Sequence, residues 1–198
     1  MAANNREIEI KLLVLDNTAY SVVNRAIRKF AQKICPEHEE ISGNSYDLYW
    51  KASKSASADF VRLRRNDSGA WITAKATDRG DNIDRVEIDL KVDSYSQAKA
   101  LLECSFPDAP VKIKKKYHVY FLGCEHDSIS VYTVSGDPDS KVFVEVEARS
   151  LDTVKDLVMG LIENTNERYG WSKSSLFNLF VEEKGIKLLT VNQFLESV

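Results

Sequence analysis

The stretch Arg6-Glu7-Ile8-Glu9-Ile10-Lys11-Leu12 decides the fold, because charged and aliphatic residues alternate through it. Successive side chains of a β-strand point to opposite faces of the sheet. Glu7, Glu9 and Lys11 are therefore expected on one face, and the aliphatic residues on the other. The stretch predicts a strand with one ionic face and one apolar face.

The same alternation recurs along most of the chain. Turn signals such as Asn66-Asp67-Ser68-Gly69 separate several of the alternating segments. Residues with helical spacing predict helices from residue 17 or 18, after Ser94 and over 151–168, and shorter ones at 173–183 and after Thr190. The predicted strands are 6–15, 44–52, 58–66, 70–77, 84–92, 111–122, 128–134 and 141–149. The fold class is therefore α+β.

The ionic faces carry paired charges of both signs. Acidic pairs spaced two apart recur on three strands, and basic residues dominate three others. Neighbouring like charges repel, so the acidic pairs need a compensating cation. The amphipathic helices need an apolar partner, which the aliphatic strand faces provide. We therefore expect a closed eight-stranded antiparallel barrel, with helices packed outside it and a charged tunnel within.

Composition narrows the class of protein. The length of 198 residues predicts one domain over residues 1–198. The net charge of −3 predicts that nucleic acid is not a partner. Neither a secretory signal nor an apolar run of membrane-spanning length is evident, so no membrane partner is expected. The cysteines Cys35, Cys104 and Cys124 are odd in number and lack Cys-x-x-Cys spacing, which indicates reduced thiols and a cytoplasmic location.

The expected ligand follows from the chemistry of the ionic faces. Carboxylates without histidine or cysteine favour Mg²⁺ or Mn²⁺, and lysine and arginine suit phosphate oxygens. A polyphosphate bridged by divalent cations satisfies both sets of charges. Its hydrolysis by in-line attack of water needs little covalent chemistry from the protein.

The segment Glu7-Ile8-Glu9-Ile10-Lys11 resembles the Glu-x-Glu-x-Lys signature of the CYTH superfamily, the triphosphate tunnel metalloenzymes. The resemblance continues in order along nearly the whole chain, and it extends to the short CYTH-domain proteins of tailed-phage genomes. Its further stations are Arg62-Leu63-Arg64, Lys75, Glu87 with Asp89, Lys114 with Lys116, Glu145-Val146-Glu147 and Lys173.

The resemblance implies a metal-dependent triphosphatase and assigns roles to these positions. Glu7, Glu9, Lys11 and Glu147 would be catalytic. The implied metal ligands are Glu7, Glu9, Glu145 and Glu147, with Glu87 and Asp89 as further acidic groups of the metal site. The implied substrate-binding residues are Lys11, Arg62, Arg64, Lys75, Arg85, Lys114, Lys116 and Lys173. Inorganic tripolyphosphate, thiamine triphosphate and nucleoside triphosphates remain open as substrates, as do a monomer and a homodimer.

Two departures from the family keep other functions open. Many members carry an aspartate on the strand before the last acidic pair, but here that strand reads Ser128-Ile129-Ser130-Val131-Tyr132-Thr133-Val134. This departure favours a binder of nucleotide or polyphosphate without catalysis. The second alternative is a class IV-type adenylate cyclase, although Asn4-Asn5-Arg6 stands where those cyclases carry a His-Phe pair.

Overall fold

The alternating stretches form strands, and the stretches with helical spacing form helices, in a computed structural model that describes residues 6–14, 18–52, 60–77, 84–123, 127–135, 141–165, 171–173 and 189–190. The helices are α1 (Tyr20–Ile34), α2 (Tyr95–Ser105) and α3 (Leu151–Thr165). The strands are β1 (Arg6–Val14), β2 (Glu39–Lys51), β3 (Phe60–Asn66), β4 (Gly69–Thr77), β5 (Asp84–Val92), β6 (Val111–Phe121), β7 (Ser128–Val134), β8 (Val142–Ala148), β9 (Trp171–Lys173) and β10 (Leu189–Thr190).

The α+β class is confirmed, and each of the eight predicted strands has a counterpart in β1 to β8. Every strand pairing whose register is described is antiparallel. Closure of the eight strands into one barrel stays a prediction. The helices predicted at 173–183 and after Thr190 lie outside the described residues, apart from Lys173, which ends β9.

The chain divides into two compact units. The first unit comprises Met1–Glu7 and Gly43–Lys115, and the second comprises Ile8–Ser42 and Lys116–Val198. Strands β1, β2 and β6 therefore contribute residues to each. The expectation of one domain over residues 1–198 stays a prediction.

In the first unit, β2, β3, β4 and β5 are successive neighbours in an antiparallel sheet. Helix α2 begins after Ser94, whose hydroxyl accepts a hydrogen bond from the Gln97 backbone N–H at 3.3 Å, as an N-cap does. Its buried residues Ala98 and Leu102 belong to a core that also contains Leu48, Trp50 and Leu63 from β2 and β3. Helix α2 thus covers the aliphatic face at β2 and β3, whereas Ile88 and Leu90 on β5 are 61% and 60% exposed.

In the second unit, β1 lies between β8 and β9, and β7 pairs with the other edge of β8. Helix α1 buries Val23, Ile27 and Phe30, which helical spacing places on one face. Ile34, the next residue of this spacing, is instead 43% exposed. Helices α1 and α3 contact β7 and β8 respectively, and they also contact each other.

No helix among the described residues combines the length and apolar character needed to span a membrane.

A polar cluster in the second unit connects α1 with β2 and β6. The Glu40 carboxylate at the start of β2 lies 2.6 Å from Arg28 Nη2, 2.9 Å from His38 Nε2 and 3.0 Å from His118 Nε2. The His118 ring also stacks on Tyr120 at a centroid distance of 4.6 Å. Burial raises the pKa of Glu40, but the hydrogen bonds from His38, Arg28 and His118 outweigh it and lower the pKa to about 2.

We predict that the stability contributed by this cluster depends on the ionised Glu40 carboxylate. A lowered pKa in the folded state adds stability that is present above the ordinary value of 4.5 and lost as the pH falls towards 2. Urea unfolding from pH 6 to pH 2 should therefore show Glu40→Gln less stable than wild type at pH 6, with the difference shrinking below pH 4.5. Glu39→Gln, which removes the neighbouring exposed carboxylate, serves as the control. A Glu40→Gln difference that stays constant over this range would contradict the prediction.

Candidate functional site

Four cations in the first unit form what we call the cationic cluster: Arg62 and Arg64 on β3, Lys75 on β4 and Lys115 on β6. Period-two alternation directs Arg62 and Arg64 to one face of β3, while Leu63 between them is fully buried under α2. Three carboxylates contact the cluster directly or through a hydroxyl: Asp47 on β2 and Glu87 and Asp89 on β5.

The centre of the cationic cluster is a chain of contacts across β3, β4 and β5. Arg62 Nη2 donates a hydrogen bond to Thr73 Oγ1 at 2.9 Å and lies 3.4 Å from Glu87 Oε1. The Thr73 hydroxyl in turn donates to the Asp89 carboxylate. Lys75 Nζ lies 2.5 Å from Glu87 Oε2. These contacts join residues that the antiparallel register places opposite each other, Arg62 with Thr73, Thr73 with Asp89, and Lys75 with Glu87.

The Arg62 side chain is only 12% exposed, and one of its hydrogen-bond donors is unpaired among the described residues. Its Nε is buried and has no hydrogen-bond partner among the described residues. Burial lowers the pKa of Arg62, but interactions with Tyr49, Glu87 and Asp47 outweigh this and raise it above its ordinary value. The guanidinium therefore stays charged, and one of its five N–H donors has no acceptor among the described residues.

Asp47 anchors the other side of the cluster. Its side chain is completely buried, and it accepts hydrogen bonds from Arg64 Nε at 2.9 Å and Arg64 Nη2 at 2.8 Å. The Tyr49 hydroxyl donates to it at 3.3 Å, and Lys115 Nζ lies 3.7 Å away. Burial raises the pKa of Asp47, but the charges of Arg64 and Lys115 outweigh it and hold the pKa well below its ordinary value.

The sequence analysis did not select Asp47, Thr73 or Lys115. One signal pointed to Asp47, since an acid inside the apolar run Tyr46-Asp47-Leu48-Tyr49-Trp50 is costly unless it is paired. Thr73 shares the strand face of Lys75, which alternation alone would have shown. Nothing in the sequence distinguished Lys115 from its neighbours.

The β6 lysines differ in burial, and the role of Lys114 and Lys116 in binding substrate stays a prediction. Lys114 and Lys116 were expected on the ligand side, but both are exposed, whereas Lys115 is only 8% exposed and lies near Asp47. Lys116 Nζ instead lies 5.3 Å from the centre of the Tyr20 ring at the start of α1. The physical reason is that Lys114-Lys115-Lys116 contains no apolar residue that would mark which positions face the core.

A second set of charges lies in the second unit, and we call it the acidic cluster: Glu9 and Lys11 on β1 with Glu145 and Glu147 on β8. The register places Glu9 opposite Glu147 and Lys11 opposite Glu145. Lys11 Nζ lies 2.6 Å from Glu9 Oε1 and 3.2 Å from Glu145 Oε2. Glu9 is only 2% exposed, so its carboxylate is held away from water.

Two serines on β7 lie opposite the carboxylates of β8. Ser128 lies opposite Glu147, and Ser130 lies opposite Glu145. These are positions on the strand that carries an aspartate in many CYTH proteins, and here they bring hydroxyl groups next to the β8 carboxylates.

Three predicted site residues lie in strands, but their side chains are outside what the structure describes. Glu7 belongs to β1, Arg85 lies opposite Thr77 in the β4–β5 pairing, and Lys173 lies opposite Leu12 in the β1–β9 pairing. Their roles stay predictions.

The described side chains include no group of three or more histidine, cysteine, aspartate or glutamate residues arranged to hold a metal ion. The acidic cluster nevertheless offers the donor type that hard cations prefer, namely carboxylate oxygens, together with serine hydroxyls. The expectation of Mg²⁺ or Mn²⁺ therefore rests on donor chemistry.

No protein-family model and no curated relative matches the sequence. Solved structures with the same fold are nevertheless found. HpAC1 from Hippeastrum, described as a candidate adenylyl cyclase with a dominant triphosphatase activity, is 14% identical, with a TM-score of 0.61 over 91% of this chain and 98% of that one. A candidate adenylate cyclase from Bacillus halodurans is also 14% identical, with a TM-score of 0.59 over 89% of this chain and 99% of that one.

A third structure with this fold has a different context. A chain of the Schizosaccharomyces pombe Mediator head module is 7% identical, with a TM-score of 0.56 over 85% of this chain and 98% of that one. At these identities the similarity shows the fold alone. The similarity therefore confirms a fold shared with a triphosphatase and a candidate adenylate cyclase.

Proposed function

We propose that this protein is a divalent-metal-dependent hydrolase of triphosphates. In this proposal the cationic cluster binds phosphate oxygens and the acidic cluster binds Mg²⁺ or Mn²⁺. The observation that carries it is the buried Arg62 Nε, a charged donor without a hydrogen-bond partner among the described residues, in the middle of three further cations. A phosphate oxygen is the acceptor that would satisfy such a donor.

The charges of the cationic cluster support an anionic ligand. Four cations lie together there, and the three carboxylates contact them directly or through Thr73. Burial strengthens the attraction between these cations and an incoming phosphate, because water screens it less. The carboxylates hold the cations in place before the ligand arrives, which reduces the entropy lost on binding.

The acidic cluster supports the binding of a divalent metal. Mg²⁺ is usually held by one or two carboxylates and by substrate phosphates, not by a cage made only of protein ligands. Glu9, Glu145 and Glu147 would supply the carboxylates, with Glu7 as the further ligand that the family resemblance implies. We assign Glu87 and Asp89 to holding Lys75 and Thr73, which they contact.

The reaction itself requires positioning and charge stabilisation. A water oxygen bonds to the terminal phosphorus, the P–O anhydride bond breaks, and a proton is released, so that orthophosphate and the shortened phosphate chain result. A bound divalent cation supplies positive charge to the phosphate oxygens and lowers the pKa of water. Arg62, Arg64, Lys75 and Lys115 would stabilise the charge that develops on the phosphate oxygens, and Lys11 would hold Glu9 and Glu145 in place.

Two alternatives remain. The described cyclase candidates share the fold, which favours conversion of a nucleoside triphosphate to a cyclic nucleotide and diphosphate. The serines on β7 in place of an acid favour a binder of nucleotide or polyphosphate without turnover. In each case we expect the partner to be a small triphosphate, not nucleic acid or a membrane. We expect the protein to act in the cytoplasm as a monomer or a homodimer. Barrel closure belongs to the same proposal.

We predict metal-dependent release of orthophosphate from tripolyphosphate, thiamine triphosphate or ATP, measured with malachite green. Glu9→Gln should lower the rate about 100-fold or more, because it removes a buried charge from the acidic cluster. Glu163→Gln, the same substitution at an exposed position of α3, should retain the wild-type rate.

The products separate the alternatives. Diphosphate from ATP without orthophosphate would establish the cyclase reaction. Tight binding without turnover under either metal would establish the binder. Orthophosphate release that Glu9→Gln leaves unchanged would identify a contaminating enzyme and contradict the proposal.

We further predict that Lys115, not Lys114, binds the phosphates. Calorimetric titration with tripolyphosphate should show Lys115→Gln about tenfold to a hundredfold weaker than wild type, as expected for losing a hydrogen bond to a charged group. Lys114→Gln removes the same charge from the exposed neighbouring position and should change the affinity less than about threefold, the size of a surface charge effect. Equal losses in the two variants would contradict this assignment.

A further inference from the structure

The charged face of the first unit opens towards solvent in one direction. The register of β3, β4 and β5 arranges this face in three rows: Phe60, Lys75 and Glu87, then Arg62, Thr73 and Asp89, then Arg64, Trp71 and Lys91. From row to row the exposed fraction of a cationic side chain rises from 6% at Lys75 to 12% at Arg62 and 27% at Arg64, and Lys91 is exposed. The third row is therefore the open end of the cationic cluster.

Trp71 lies at this open end in surroundings unlike a hydrophobic core. Its cross-strand partners on this face are two cations, Arg64 and Lys91, and Lys91 Nζ is 5.9 Å from the centre of one of its rings. The indole is only partly buried, whereas Tyr49 and Phe60, aromatic residues nearer the closed end, are 5% and 6% exposed. An aromatic surface flanked by cations suits a ligand that joins an aromatic ring to anionic groups.

The position of the ring is set by the turn before β4. Gly69 has a φ of 143°, a conformation that favours glycine, and a Cβ atom there would lie 3.2 Å from Trp71 Cη2. The absence of a side chain at Gly69 thus allows the indole to lie against the turn. The ring is supported there by backbone and by the Lys91 side chain.

We propose that Trp71 is a specificity-determining residue that stacks on the aromatic ring of an organic triphosphate. The phosphates would occupy the rows of Lys75 and Arg62, and the ring would emerge at the row of Trp71. Two residues of a strand span about 7 Å, so Trp71 lies one such step beyond Thr73. The substrate class is a triphosphate that carries an aromatic heterocycle, in preference to inorganic tripolyphosphate. This inference rests on the proposed phosphate-binding role of the cationic cluster.

The test compares ligands with and without a ring on the same variants. Calorimetry in the presence of Mg²⁺ would use β,γ-methylene ATP and thiamine triphosphate as ring-bearing ligands and tripolyphosphate as the ligand without a ring. Trp71→Ala should weaken binding of at least one ring-bearing ligand about tenfold to a hundredfold, the usual effect of losing one stacking partner. The ligand that is affected identifies the heterocycle. Trp71→Ala should change tripolyphosphate affinity by a factor at least about fivefold smaller than the factor for the affected ring-bearing ligand.

Trp71→Phe separates stacking from folding, because it keeps an aromatic surface and should recover most of the affinity that Trp71→Ala loses. Equal losses for all three ligands, no loss for either ring-bearing ligand, or failure of the wild type to bind a ring-bearing ligand would each overturn the inference. If a ring-bearing ligand binds in a Trp71-dependent way but no turnover occurs, the inference holds and the hydrolase proposal fails.

Discussion

The pairing of Asp47 with Arg64 and Lys115 is the interaction on which the charged face depends. A charge taken out of water costs several kcal/mol unless an opposite charge and hydrogen bonds compensate it. The carboxylate is completely buried and receives two hydrogen bonds from Arg64, so neither partner could hold its place without the other. The same requirement explains why Glu87 accompanies Lys75 and Arg62. The cations are thus fixed in position by the fold, which is what a phosphate site requires.

The period of two was sufficient to predict the strands, because charge and apolarity alternate almost without exception in segments such as Glu7 to Leu12. It also predicted that Arg62 and Arg64 share one face of β3 and that Glu9 and Lys11 share one face of β1, whereas the pairing of β1 with β8 is known only from the structure. Alternation does not predict which side chains are buried where charged and apolar residues no longer alternate. On β6 alternation selected Lys114 and Lys116, whereas the buried lysine is Lys115. The apolar run around Asp47 indicates a paired acid, but its partners Arg64 and Lys115 come from other strands and are set by tertiary structure. The pairing of Glu40 with His118 likewise joins residues that are 78 positions apart in the sequence.

The charged clusters of the two units differ in the sign of most of their charges, and the functional proposal depends on this difference. The described cluster of the first unit is richer in cations, whereas the cluster of the second unit has three carboxylates and one lysine. The fold by itself does not decide the function, since it occurs both in candidate cyclases and in the Mediator head module. The residues must decide it. The feature that favours an anion is Arg62, a charged group whose buried Nε has no hydrogen-bond partner among the described residues and which lies beside further cations.

The most direct measurement of the central claim is the stoichiometry of tripolyphosphate binding to the wild-type chain, followed by calorimetry with and without Mn²⁺. A prepared phosphate site predicts one triphosphate per chain, with tighter binding when Mn²⁺ is present, because the metal adds positive charge that attracts the phosphates. Raising the salt concentration should weaken this binding without abolishing it, since buried charges are screened less than exposed ones. Absence of binding, or several weak equivalents that disappear in salt and ignore Mn²⁺, would contradict the account.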